Sequence, residues 1–240
     1  MDLSSFKALT FDCYGTLIDW EKGMSDIVRP WLEEMGSDVT PEVVLTTYAV
    51  MKWRHEQPRP IVLFTDLMRR CWEDLEGAFD FPPRPDRAEE FAAGIGQWPP
   101  FSDTAESLEY LAQHYELGIL SNIDKVPMEQ SKRHLEAPFA VTVTSEGVGS
   151  YKPNLAHFDE AFRQFEERGI TRHEILHVAQ SKYHDIAPAN AIGLPSVRVN
   201  RRHGKRGAGA TIGSDAIAPV TVNSLAELVA LHRTVTTETA

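Results

Sequence analysis

The sequence predicts an α/β protein, a parallel sheet flanked by helices with a helical cap inserted after the first strand. Three observations lead there. From about residue 104 onward, short apolar runs alternate with helix-patterned segments. Such alternation implies parallel strands joined by right-handed crossovers. A long helical stretch, Met24 to Gln97, separates the first apolar run from the rest. The 240 residues also suffice for one α/β core plus a modest insertion.

Taken in order, Phe6 to Phe11 reads as a buried strand, ending at Asp12-Cys13-Tyr14-Gly15-Thr16, where Gly15 permits a tight turn. Thr40-Pro41-Glu42 is a helix start, with Thr as N-cap and Pro at the first helical position, and apolar residues recur with helical spacing through Met51. A second helix is predicted from Ile61 to Leu75 and a short one ending near Ala93, with Phe81-Pro82-Pro83-Arg84-Pro85 as linker. Trp98-Pro99-Pro100 marks the return to the core. Strands follow at Leu117–Leu120, Val141–Thr144, Ile175–Val178 and Ser196–Val199. Helices are predicted at Thr104–His114, Val126–Leu135, Pro153–Glu167 and Asp185–Ile192. The division is thus residues 1–20 and 98–240 for the core and 21–97 for the cap.

The composition narrows the function classes. Hydrophobic residues make up 42% and charged residues 25%, ordinary for a soluble globular protein. A net charge of −11 argues against nucleic acid or anionic membranes as partners. A small anionic substrate stays compatible, because a local basic pocket overrides the average. Two cysteines, Cys13 and Cys71, make no disulfide framework. Met1 to Lys7 has no secretory pattern, and no apolar run approaches the ~20 residues of a membrane span, so a cytoplasmic location is expected. His203 to Ser214 is rich in glycine and basic residues but lacks the Gly-Lys-Ser/Thr ending of a phosphate loop, so a flexible surface loop is expected.

Sites in open parallel sheets form beyond the carboxyl ends of the strands. The residues just past the predicted strands are Asp12, Ser121-Asn122, Lys152 and the run Ser181 to Asp185. Each has two readings. Asp12 either caps the turn or acts as a nucleophile, with turn N–H groups holding a substrate anion. Lys152, made extended by Pro153, is either solvated or reaches over the rim. Ser121-Asn122 and Asp185 either cap the helices that follow or line a site. Their coincidence at one edge favours the site.

Around these residues the chain resembles the haloacid dehalogenase superfamily over nearly its whole length. Asp12-Cys13-Tyr14-Gly15-Thr16-Leu17 resembles the first motif, Leu120-Ser121-Asn122 the second, Lys152-Pro153 the third, and Asp185 with Gly193 the fourth. The resemblance is closest to the (S)-2-haloacid dehalogenase branch, including the opening Asp-Cys-Tyr-Gly-Thr-Leu-Ile-Asp-Trp, and it extends to an L-azetidine-2-carboxylate hydrolase. It implies the superfamily's Rossmann-like core with a helical cap, and exposed cap helices that in this branch often support homodimers.

The resemblance also implies a mechanism. Asp12 attacks C2 of a small 2-substituted carboxylate, and water then hydrolyses the ester. Lys152 steers Asp12, Thr16 bonds near it, and Asp185 orients or deprotonates the water. Ser121 and the N–H groups around Cys13 and Tyr14 hold the substrate carboxylate. Asn122 and a cap arginine (Arg29, Arg54 or Arg59) cradle the leaving group. Asp19 and Trp20 line the entrance, and Lys182 and His184 shape the pocket. A ring nitrogen would instead ask for an acid, with Asp19 and Glu21 as candidates. Two positions depart from the superfamily's phosphatases. Tyr14 stands where they carry a second Asp, and Ser181 where they carry a magnesium-binding acid. No metal or cofactor is therefore expected, and phosphate is a poor guest. Phe158 also stands where dehalogenases often have Tyr. A non-catalytic binder on this fold is disfavoured by the joint presence of Asp12, Lys152 and Asp185.

Overall fold

The computed structural model describes residues 1–205 and 209–238, with side chains described through residue 234. Among the described residues it holds one six-stranded parallel sheet, ordered β3-β2-β1-β4-β5-β6. The strands are β1 (Ala8–Phe11), β2 (Glu116–Ser121), β3 (Phe139–Thr144), β4 (Ile175–Ala179), β5 (Ser196–Val199) and β6 (Val220–Val222). Every residue of β1 is buried, as a central strand covered on both faces requires. The strand order reverses at β1, which pairs with β2 on one side and β4 on the other. That reversal opens a crevice beyond its carboxyl end.

Helices α1 (Trp20–Glu34), α2 (Pro41–His55), α3 (Phe64–Ala78) and α4 (Pro85–Gly94) intervene between β1 and the rest of the sheet. Asp19 caps α1 by accepting from the Lys22 N–H at 3.1 Å, and Thr40 caps α2 by accepting from Val43. The insertion has an aromatic centre of its own. Trp31 and Trp72 lie 4.5 Å apart, and Phe91 sits 5.2 Å from Trp72. Its start packs tightly on the return segment. A Cβ on Gly23 would fall 2.3 Å from the Trp98 ring, so only glycine fits there.

The later helices are α5 (Thr104–Leu111), α6 (Lys125–Leu135), α7 (Ser145–Val148), α8 (Ala156–Glu166), α9 (Ala187–Ala191) and α10 (Leu225–Glu238). Three differences from the sequence pattern have physical causes. Helix α3 begins at Phe64, not Ile61, because Asp124 accepts from the N–H groups of Phe64 and Thr65 at 2.7 and 2.8 Å. That cap comes from the core, sixty residues away in the chain. Residues Lys182–Ile186 form a π-type turn before α9, not regular helix. Strand β6 and helix α10 have no strong signal, since Val-Thr-Val is too short to announce a strand.

Residues 206–208 of the expected His203–Ser214 loop lie outside the described residues. Arg201 and Arg202, just before that segment, are anchored. Arg201 donates to the Thr16 carbonyl at 3.0 Å and to Asp103 at 2.7 Å, and Arg202 pairs with Glu21 and Glu42. Among the described residues, no helix is long and apolar enough to cross a membrane.

Candidate active site

Asp12 follows the last residue of β1, and its carboxylate is held at both oxygens. The Thr16 hydroxyl donates to Oδ2 at 2.9 Å, and Lys152 Nζ donates to Oδ1 at 2.9 Å. Gly15, at φ +94°, makes the turn that returns Thr16 under Asp12. The Gln180 N–H donates to the Thr16 hydroxyl at 2.9 Å, which orients that hydroxyl toward the carboxylate.

Lys152 is 1% exposed. Its three ammonium protons go to Asp12 Oδ1, to the Leu120 carbonyl at 2.7 Å and to Asp185 Oδ1 at 2.6 Å. An ammonium has three donors, so this one is saturated. Asn122 fixes its backbone: the amide oxygen accepts from Lys152 N–H at 2.7 Å, and the amide nitrogen donates to the Lys152 carbonyl at 3.1 Å.

Asp185 is fully buried, and its Oδ1 also accepts from His177 Nε2 at 3.1 Å. His177 receives the Thr10 hydroxyl on Nδ1 at 2.9 Å, the two residues being paired across β1 and β4. Asp185 Oδ2 has no protein partner. The two acids are shifted in opposite directions. Burial pushes the Asp12 carboxyl up, against the pull of Lys152, and the nearby Asp185 charge adds to the rise. Burial acts on Asp185 too, but Lys152 and His177 outweigh it and hold that carboxyl far below the usual range.

Asp12 faces a cavity of about 40 Å³ between the sheet edge and the inserted helices. At about 10–15 Å³ per water, that is room for a few solvent-sized groups. Ser121, Asn122, Ser181 and His184 line it from the core side, with Tyr14 and Trp20. The inserted helices contribute Lys52 and Phe64. Lys52 Nζ pairs with Glu56 at 2.7 Å one turn along α2, and His184 Nε2 approaches the other Glu56 oxygen at 3.4 Å. Glu56 is buried, which alone would raise its pKa, but Lys52 and His184 bring it down to about 2.

Several expected site residues are therefore together, and others are elsewhere. Asp12, Thr16, Lys152 and Asp185 form one hydrogen-bonded cluster, and Tyr14, Trp20, Ser121, Asn122 and His184 border its cavity. The Tyr14 phenol itself bonds Ser131 at 2.7 Å, away from Asp12. The Cys13 side chain is in the hydrophobic core with no exposure, which leaves its backbone N–H to meet a substrate. Two placements correct the sequence expectation. Asp19 caps α1 and borders a neighbouring pocket. Lys182 borders a groove on the far side of Gln180. The arginines of the insertion are also remote. Arg29 and Arg54 are exposed, and Arg59 bonds the carbonyls of Glu56, Gln57 and Pro58. Glu21 is held by Arg202. Sequence reading missed Lys52 and Glu56; the signal was a Lys and Glu four apart on one face in the last turn of the helix capped at Thr40.

A family model for haloacid dehalogenase-like hydrolases matches residues 6–193. The chain belongs to that family. No curated protein matches the sequence closely. Among solved structures, a defluorinating L-2-haloacid dehalogenase superposes with a TM-score of 0.77 at 20% identity, covering 95% of each chain. The L-2-haloacid dehalogenase from Xanthobacter autotrophicus with chloropropionic acid covalently bound gives 0.77 at 20% identity, over 95% of this chain and 98% of that one. A putative hydrolase of the family, YfnB from Bacillus subtilis bound to magnesium, gives 0.75 at 16%, over 95% and 99%. At these identities the likeness is one of fold.

YfnB is bound to magnesium, and the residues of this site do not fit that ion. Asp12 and Asp185 are the carboxylates of the cluster, and both already face the Lys152 ammonium. Ser181 bonds His184 at 3.0 Å in place of an acid. A hard divalent cation asks for more oxygen ligands than this.

Proposed function

We propose that this hydrolase displaces a leaving group from C2 of a small 2-substituted carboxylic acid through an ester on Asp12, in the manner of an (S)-2-haloacid dehalogenase. The observation that carries this is the charge around Asp12. Asp12, Asp185 and Lys152 sum to one negative charge, and Lys52 is offset by Glu56. A phosphoryl dianion would meet repulsion there, whereas a monoanionic acid faces less and finds neutral donors. Those donors are the Ser121 hydroxyl and the N–H groups of Cys13 and Tyr14, since Gly15, Thr16 and Leu17 donate within the turn.

The chemistry has two steps. An Asp12 oxygen attacks C2 from the face opposite the leaving group, forming a C–O bond as halide departs with its electron pair. Lys52 replaces the expected arginine as the cation near the leaving halide. Water then attacks the Asp12 carbonyl carbon. Asp185 orients that water through Oδ2, the water's proton passes to the departing C2 oxygen as its bond to the Asp12 carbonyl carbon breaks, and the 2-hydroxy acid leaves with inverted configuration. Ring opening of an azetidine would ask for an acid toward the nitrogen. The cavity wall offers Lys52 there, while Asp19 and Glu21 lie outside it, which favours halide.

The reading is tested by a single turnover of (S)-2-chloropropionate in heavy-oxygen water with enzyme in excess. Label is expected in the Asp12 side chain. Label in product alone would mean direct attack by water. Turnover of L-azetidine-2-carboxylate but not the chloroacid would move the leaving group to nitrogen, and hydrolysis of a phosphate ester instead would overturn the substrate class.

A further inference from the structure

The groove beyond Gln180 is unlike the rest of this acidic surface. It has a volume of about 350 Å³ and is bordered by Lys182, Arg198, Arg202, His203 and Lys205, with no carboxylate among its described lining residues. The whole chain carries 35 acids against 24 Lys and Arg. Elsewhere arginines such as Arg69, Arg84 and Arg163 are ion-paired, and the exposed Arg29, Arg54, Arg70 and Arg133 stand apart from acids at scattered places; the groove differs in gathering several such cations around one space. Here only Arg202 is paired, with Glu21 and Glu42. Lys182, Arg198 and Lys205 have no acidic partner among the described residues, and the Arg198 Nε is buried with no hydrogen-bond partner. Its Nη2 meets only the Asn200 amide oxygen, at 3.2 Å. Like charges gathered without counter-charge repel one another, and an anion in their midst relieves that repulsion.

The groove also adjoins the catalytic cavity. Gln180 and Thr211 line both, so the two spaces share a boundary at these side chains. The cavity is small and the groove roomy, about 40 against 350 Å³. We propose that the substrate carries a second carboxylate, which Arg198, Lys182 and Lys205 hold in this groove while its C2 end sits against Asp12. This rests on the C2 chemistry proposed above and narrows its substrate to 2-substituted dicarboxylic acids. Arg198 supplies a planar fork for the carboxylate, and the lysines supply point charges.

Two measurements test it. In the first, kcat/KM is compared for 2-chloroglutarate and 2-chloropropionate of the same configuration. The dicarboxylate is expected to be favoured by about tenfold or more, and the ratio to fall toward one in Lys205→Ala and Arg198→Gln. Equal values in the unaltered protein would overturn the proposal. In the second, binding of glutarate, pentanoate and inorganic phosphate is measured calorimetrically, without turnover. Glutarate is expected to bind more tightly than pentanoate, with the advantage lost in Lys205→Ala, whose exposed side chain spares the fold. Glutarate binding no better than pentanoate, or phosphate binding in its place, would overturn the proposal. If neither chloroacid reacts, the C2 chemistry fails, and the binding measurement still decides the groove.

Discussion

Lys152 uses all its donors inside the protein, and that changes what its removal should do. On the sequence alone it is a rim lysine, whose loss would shift folding by no more than ~0.5 kcal/mol. In the structure it separates two buried carboxylates. Lys152→Met should therefore abolish turnover and also destabilise the fold by about 3–5 kcal/mol, because uncompensated charge is left buried. Denaturant melts check this; an unchanged midpoint would return Lys152 to the surface reading. Asp12 should behave in the opposite way. Its folded pKa is raised, so its ionised form is disfavoured by folding and costs stability above its ordinary pKa. Asp12→Asn should then lose turnover with a Tm equal to or above that of the unaltered protein. The same shift sets the acid side of the activity profile. Only ionised Asp12 attacks, so kcat/KM should fall as pH drops through a value above the ordinary ~3.9 of an aspartate. A limb at or below that value would contradict the burial of Asp12.

At the scale of elements, the strand ends were legible because each apolar run stops at a polar residue, and Asp12, Ser121 and Asp185 all stand just past or near such stops. The roles of neighbours were less legible, because hydrogen bonds across the chain decide them. Asn122 lines the cavity as expected of a site residue, but the bonds its amide makes to the Lys152 backbone and its approach to Glu56 at 3.5 Å have no signal in the sequence. Asp124 precedes α6 in sequence but caps α3. Lys52 of the insertion lines the cavity while Arg54 is exposed, because which face of α2 turns inward decides between them, and residue type alone does not show that face. Helix α2 carries its own test. Glu56 is depressed to about 2, so it stabilises the fold above its unfolded value near 4.5, and that contribution is lost as pH falls toward about 2. Glu56→Gln should lower stability at neutral pH and flatten the acid part of the stability curve. It should also raise KM, by releasing Lys52. A variant with the original acid dependence would mean that Glu56 is ionised no more easily than in the unfolded chain.

For the whole molecule, the topology brings Asp12 to the reversal of strand order, and the insertion closes over it. In that frame the metal requirement becomes a question of charge rather than of fold, since the same architecture holds magnesium in YfnB. Here the Lys152 ammonium lies between the two carboxylates that a cation would need. Tyr14 directs its hydroxyl to Ser131, and Ser181 directs its own to His184. A divalent ion would have to share these carboxylates with a saturated ammonium and accept one carboxylate fewer than the phosphatases offer. Turnover of a chloroacid should therefore survive exhaustive treatment with a chelator, and added Mg²⁺ should not change kcat/KM. Activity lost to the chelator and restored by Mg²⁺ would place a metal at Asp12 and reverse the assignment. Replacing the missing acid should move the protein the other way. Ser181→Asp puts a third carboxylate beside Asp12 and Asp185 and removes the hydroxyl that bonds His184. Calorimetry should then detect Mg²⁺ binding that the unaltered protein lacks, while chloroacid turnover falls through the added negative charge facing the substrate.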